Sequence, residues 1–292
     1  MQPVATRATK RAWYRTWRLV SLDGSSLDVA DTAENGIAFG YPGASRGESA
    51  FPQLRFVALV ESGTHVLFGT KLGRYADSET TLAHDVVRAL QPGMLCLADR
   101  QFFGHALWQA GTATGADLLW RVKSNLRLPR ATVLADGSYL SVVYPSEKER
   151  RHATNGVQVR VVEYRLEGVA DAEPLYRLVT TILDPAQAPA ADLAALYHER
   201  WEIDIDQSWC LSRIKRWVVW TGNTSRDVLQ LGIAGDAGRR ARLRGRLLSR
   251  DRRRQAPPGR RSCPDGLQLG DRGGIGGHQL GKAAAGRNRT TA

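Results

Sequence analysis

The chain has 292 residues, 42% hydrophobic and 24% charged, ordinary material for one large globular domain or two modest ones with a sizeable core. Its formal charge of +12 is unevenly spread: residues 1–204 hold 22 Lys+Arg against 23 Asp+Glu, and residues 205–292 hold 19 against 6, which excludes a uniformly basic histone-like globule. The longest apolar runs, 57–60 and 94–98, fall far short of the roughly 18 residues of a membrane span. The N-terminal stretch MQPVATRATKRAWYR is basic without an apolar segment, so no secretory signal is expected, and three cysteines without CxxC spacing fit a reducing cytosol better than a disulfide framework or zinc site.

In chain order, RLVSLDG (18–24) predicts a short buried strand running into a turn at Asp23–Gly24. Residues 31–50, rich in Gly, Ala, Ser and Pro, predict a loop. Two strands follow over 54–61 and 64–72, joined as a hairpin at Ser62–Gly63. Leu82, Val86, Val87 and Leu90 recur at helical spacing over 79–90, with Ser78 as N-cap and Pro92–Gly93 as the stop. MLCLAD (94–99) is an unbroken apolar run ending in a carboxylate, as in a strand buried on both faces. Residues 102–114 predict a helix and 117–123 a strand; SYLSVVYP, VQVRVVEYRL and LYRLVTTIL then add three alternating β segments. Pro189 precedes a helix over 190–203. After residue 204 the chain is rich in Arg, Gly and Pro without a period of 3.6 or 2, so residues 205–292 are expected to form a disordered basic tail.

Asp23 and Asp99 each close a predicted strand, where loops open in an α/β sheet and ligands bind, and a carboxylate there suits a hard cation such as Mg²⁺. The same residues also end strands simply because Asp and Gly make turns. Asp28, Asp31 and Asp136 sit in loop-like, solvated surroundings, and Phe102–Phe103 read as core packing. Tyr197, Arg200 and Asp204, spaced three and four apart, share one helix face, a pattern that equally suits a solvated helix with an Arg–Asp pair.

Three stretches, LVSLDGSSLDVADT (19–32), LCLADRQFFGHALW (95–108) and YHERWEID (197–204), together with ATGADLLWRVKSNLRLP (113–129), resemble the DDE transposases of bacterial insertion sequences, in the subfamily with a Y-x2-R-x3-E-x6-K signature. The resemblance spans about residues 16–204. It implies an α/β, RNase H-like mixed sheet with flanking helices and a β-rich insertion, about 117–184, before the last catalytic helix. The chain would then divide into a basic stub (1–17), a catalytic domain (18–204) and the tail (205–292).

The resemblance further implies that Asp23, Asp99 and Asp204 form the catalytic, metal-binding triad and that Tyr197 and Arg200 bind DNA. Two Mg²⁺ ions, with Mn²⁺ as a substitute, would clamp the scissile phosphate, so no protein nucleophile is required. The implied activity is cleavage of DNA phosphodiesters at insertion-sequence ends followed by strand transfer, by a cytoplasmic homodimer on DNA with no membrane partner.

Three departures qualify this. Asp204 stands where the family has Glu, Leu211 stands where the signature Lys belongs, and only 22 residues precede Asp23. The likeness is expected to stop at about residue 204, so the chain reads as N-terminally truncated and as divergent or frameshifted beyond that point, with a functional Arg-rich DNA-binding tail as the rival. The alternative function is a catalytically inactive remnant that at most binds DNA non-specifically. A free-standing RNase H-like nuclease would have no need of the Tyr197/Arg200 face. Together the departures predict little or no transposition, since a ligand misplaced by about 1 Å can cost about 100-fold in rate.

Overall fold

The computed structural model describes residues 2–44, 47–48, 51–166, 173–199 and 267–269. After a short β1 (Trp13–Tyr14), the sheet is organised by the twelve-residue β2 (Trp17–Asp28), which pairs with β5 along one edge and, over Arg18–Leu22, with β7 along the other. Strand β5 (Gln53–Glu61) runs antiparallel to it from Val20↔Glu61 to Asp28↔Gln53. This partner corrects the expected turn at Asp23–Gly24: the ladder continues through Asp23↔Ala58 and Gly24↔Val57, so the backbone stays extended. The Asp-Gly pair is a turn signal only where no neighbouring strand supplies hydrogen bonds.

The segment expected as one loop also holds structure. Helix α1 (Ala33–Phe39) starts at Thr32, whose side chain accepts from the Asn35 amide at 3.2 Å, and the two-residue strands β3 (Gly43–Ala44) and β4 (Gly47–Glu48) pair with each other. Strand β6 (Val66–Arg74) completes the hairpin with β5. Gly63 in its loop has φ +80°, and a Cβ there would lie 2.3 Å from the Lys10 carbonyl oxygen. Gly63→Ala is therefore expected to destabilise the fold by about 2 kcal/mol, read as a lower urea midpoint; an unchanged midpoint would show that the N-terminal segment yields freely.

Helix α2 (Glu79–Val86) begins at Ser78, which accepts from the Thr81 amide at 3.1 Å, and runs into a 3-10 turn at Val87–Ala89. Strand β7 (Met94–Ala98) is buried at all five positions, as its unbroken apolar run requires. Helix α3 (His105–Thr112), capped by Gly104, starts three residues later than predicted. Strand β8 (Asp117–Arg121) then pairs in parallel with β7.

The β-rich stretch comprises β9 (Thr132–Val133), β10 (Tyr139–Val143), β11 (Val157–Leu166) and β12 (Tyr176–Thr180), with a six-residue helix α4 (Glu147–His152) that the sequence pattern did not reveal. Helix α5 covers residues 190–199. Of the tail, Leu267–Leu269 form β13, antiparallel to β11; the rest of 205–292 lies outside the described residues.

One mixed sheet of eleven strands runs β6-β5-β2-β7-β8-β12-β11-β10-β9, with β1 against β2 and β13 against β11. Among the described residues, parallel pairing is confined to β2 with β7 and β7 with β8. This is the α/β mixed sheet with flanking helices that the resemblance implies. Side chains alternate across it. Val20, Leu22, Cys96, Leu118 and Trp120 meet α2 and α3 on one face, where Trp108 stands edge-on to Trp120 at 5.3 Å; the predicted packing role of Phe102 holds here too, at 2% exposure. Leu19, Leu95, Leu97 and Leu119 meet Leu193, Ala194 and Tyr197 of α5 on the other.

Asp136 corrects a second expectation. It is not a solvated loop residue: its Oδ2 lies 2.5 Å from Nη2 of Arg160, whose side chain is wholly buried. Arg160 also donates to Ser138 Oγ at 2.8 Å and the Ala188 carbonyl at 2.7 Å, while Asp136 Oδ2 accepts from the Ala190 amide at 2.8 Å. The network thus ties the β9–β10 turn and β11 to the first residue of α5. Burial works against the Asp136 charge, but its bonds to Ser138 and Ala190 and the Arg160 guanidinium together hold the carboxyl below its ordinary range. Among the described residues, no helix is long and apolar enough to cross a membrane.

Candidate active site

The parallel register fixes which residues meet at the carboxyl edge of the central strands. β2 and β7 pair up to Leu22↔Ala98, and β7 and β8 up to Ala98↔Trp120. The next residue in each line is Asp23, Asp99 and Arg121. Leu22, Ala98 and Trp120 face α2 and α3. Alternation therefore puts Asp23, Asp99 and Arg121 on the opposite face, beneath α5. Neighbouring strands lie about 4.8 Å apart, so Asp23 and Asp99 occupy adjacent positions with Arg121 next in line, near enough for the Asp99 charge to act on its guanidinium.

Asp23 and Asp99 are both half-buried. Asp99 opens a turn that fixes its own carboxylate: Oδ1 accepts from the Gln101 amide at 3.1 Å, and its carbonyl accepts from the Phe102 amide at 3.1 Å. Gly24, next to Asp23, faces the other way, against the Glu79 side chain at the start of α2; a Cβ there would come within 2.9 Å of the Glu79 carboxyl carbon. The glycine lets β2 pass under that helix end without displacing Asp23.

Tyr197, a candidate DNA contact by the resemblance, is fully buried, and its hydroxyl donates to the Ala98 carbonyl at 3.3 Å. As folded it anchors α5 across the end of β7, one residue from Asp99, rather than presenting a surface to DNA. Arg200 and Asp204 lie outside the described residues. Among the described residues, no three His, Cys, Asp or Glu side chains converge closely enough to hold a metal ion. Asp23, within the extended β2, and Asp99, just past the end of β7, are both anionic oxygen donors, the ligand type a hard divalent cation takes.

Sequence reasoning missed Arg121. Its side chain is only 5% exposed and its Nη2 lies 2.5 Å from Glu173 Oε2. The guanidinium sits 4.8 Å from the Tyr176 ring centre, and Tyr176 stacks on Tyr164 at 5.2 Å. Glu173 also reaches Arg100, Oε1 to Nη1 at 2.9 Å. Burial disfavours the Arg121 charge, but Glu173 outweighs it and holds the guanidinium above its ordinary value; the same contact, chiefly, pulls the Glu173 carboxyl down. The signal was present: Arg121 follows the apolar run Leu118–Trp120 at the close of the strand DLLWR, and buried arginines need a partner.

A family model described as a transposase DDE domain matches residues 17–217. That match runs past residue 204, where the likeness was expected to end. The chain is 24% identical over 192 residues to InsG, a transposase for insertion sequence element IS4 of Escherichia coli (strain K12), covering 64% of this chain and 42% of that protein. It is 28% identical over 117 residues to the putative transposase InsZ of the same strain, covering 40% of this chain and 39% of that protein. The chain thus spans about two fifths of the length of these curated relatives. A crystal structure of endonuclease V from Streptomyces avermitilis overlaps 60% of the chain at 14% identity with a TM-score of 0.26, too slight a match to inform the fold.

Proposed function

The chain belongs to the transposase DDE domain family, and from that premise we propose that it is the catalytic domain of a DNA transposase, hydrolysing phosphodiesters at the ends of an insertion sequence and joining the freed strand to target DNA. The observation that carries this is the placement of Asp23 and Asp99 side by side where the parallel pairing of β2 and β7 ends.

Asp23 and Asp99, with Asp204 as third ligand, would hold two Mg²⁺ ions, for which Mn²⁺ can substitute. Cations bound there neutralise the scissile phosphate and acidify the attacking hydroxyl. The chain's own residues do the positioning. The Asp99 turn fixes one carboxylate, the extended β2 backbone fixes the other, and Tyr197 pins α5 across the end of β7. Arg200 contacts a DNA phosphate, and Arg121 supplies fixed positive charge next to the carboxylates. The protein acts in the cytoplasm as a homodimer on DNA.

The second reading is an inactive remnant that binds DNA without cleaving it. Asp204 in place of Glu and Leu211 in place of Lys favour it. Incubation of the chain with supercoiled plasmid and Mg²⁺ separates the two. Nicking that disappears in Asp99→Asn supports the transposase; salt-sensitive DNA binding with no nicking in Mg²⁺ or Mn²⁺ supports the remnant. A chain that neither binds nor cleaves DNA sinks both.

A further inference from the structure

Glu173 joins two arginines of different depth. Arg121 is 5% exposed, Arg100 is 46% exposed, and the carboxylate between them is 38% exposed. Arg100 immediately follows Asp99, and Arg121 is one strand over in the same register, so the bridge lies against the paired aspartates. Glu173 itself belongs to no strand; it stands three residues before β12, where its amide donates to the Tyr176 hydroxyl at 3.2 Å. The Arg121 guanidinium is held over the Tyr176 ring, so its donor fork is oriented before any ligand arrives.

A carboxylate between two guanidinium groups has the charge and the paired oxygen acceptors of a phosphodiester. The outer pair, Arg100 with Glu173, is exposed on both sides and contributes little to stability. A buried arginine at a strand end, by contrast, is costly unless an anion meets it. We propose that Arg100 and Arg121 form a seat for one DNA phosphodiester beside Asp23 and Asp99, and that the Glu173 carboxylate fills this seat in the DNA-free chain and leaves it when DNA binds. The proposal rests on the reading that the chain acts on DNA. It makes Glu173 a stand-in for substrate: the site stays electrically satisfied when empty, and DNA must displace an internal anion to reach the carboxylates.

The test uses the full chain, a fluorescently labelled 30-base-pair duplex and anisotropy titration without divalent metal. Glu173→Gln keeps the shape and removes the charge. It is expected to tighten binding about tenfold, because the DNA phosphate no longer competes with an anion for charge-assisted bonds. Arg100→Gln alone should weaken binding, and in its background the gain from Glu173→Gln should shrink by at least about threefold. The basic tail contributes equally to all four proteins and cancels in this cycle. Glu173→Asp, which keeps the charge but loosens the bridge, should fall between wild type and Glu173→Gln; it serves as the reporter if Glu173→Gln lowers the melting temperature. Unchanged or weaker binding by both variants overturns the seat and leaves Glu173 as a fold contact. Plasmid nicking reads the transposase assignment separately: nicking with no Glu173 effect sinks only the seat, and a Glu173 gain without nicking sinks only the catalytic reading.

Discussion

Replacing Asp99 by Asn is expected to lower metal-dependent nicking about a thousandfold or more, the scale of losing several kcal/mol of charge stabilisation at the phosphate. Asp23→Asn should do the same, because the register sets Asp23 next to Asp99 and both are proposed to hold the same cations. Folding should survive in both. The Asp99 side chain is half-buried and accepts a hydrogen bond from the Gln101 amide, which an Asn oxygen can also accept. A second readout is independent of turnover. Mg²⁺ or Mn²⁺ should raise the melting temperature of the wild-type chain by linkage, and should fail to do so in either variant. Equal stabilisation of Asp99→Asn by metal would remove these residues from the cation site, whatever the activity proves to be.

The second large effect concerns Asp136 and Arg160. Asp136→Ala leaves the wholly buried Arg160 guanidinium without its counter-charge and frees the Ala190 amide, so a loss of about 4 kcal/mol is expected at pH 6. Arg160→Met should cost less, because the Asp136 side chain is 19% exposed and keeps its bonds to Ser138 and Ala190. The pH dependence has a definite sign. The folded Asp136 carboxyl titrates below its unfolded value, so its contribution is complete above about pH 4 and is lost as pH falls through the folded value. The gap between wild type and Asp136→Ala, measured by urea unfolding, should therefore narrow from pH 6 to pH 3. A gap of constant size would mean that the ion pair is not the source of the stability.

Where the sequence was legible, local pattern and tertiary context agreed. MLCLA is buried on both faces and says so in five apolar residues; Ser78 caps α2 by the side-chain bond its type predicts. Asp23 was found for a reason the fold revises. It marks the end of a parallel pairing rather than the end of a strand, and only knowledge of β5 could show that β2 continues. Asp136 was read as solvated, and Arg121 was missed, for one reason. Each has a partner far along the chain, Arg160 and Glu173, and no spacing rule reaches across 24 or 52 residues. The short helices α1 and α4 escaped because seven and six residues are too few to show a 3.6 period; their caps, Thr32 and Ser146, were the legible part. Asp204, the proposed third ligand, was legible in the shared spacing of Tyr197, Arg200 and Asp204 and in the resemblance that spacing carries.

The continuity of the sheet has a bearing on how this protein can be handled. β12 pairs with β8 through Leu178↔Arg121 to Thr180↔Leu119, so the β-rich stretch is not a bolt-on module but the cover of the central sheet's far edge. A trimmed version lacking 122–180 would bare the backbone amide and carbonyl groups of β8, a strand buried from Leu118 to Arg121. An uncapped apolar edge of that kind is a template for intermolecular strand addition. Minimal catalytic fragments would therefore precipitate or form fibrils, and soluble preparations must keep the outer strands even where those strands take no part in chemistry.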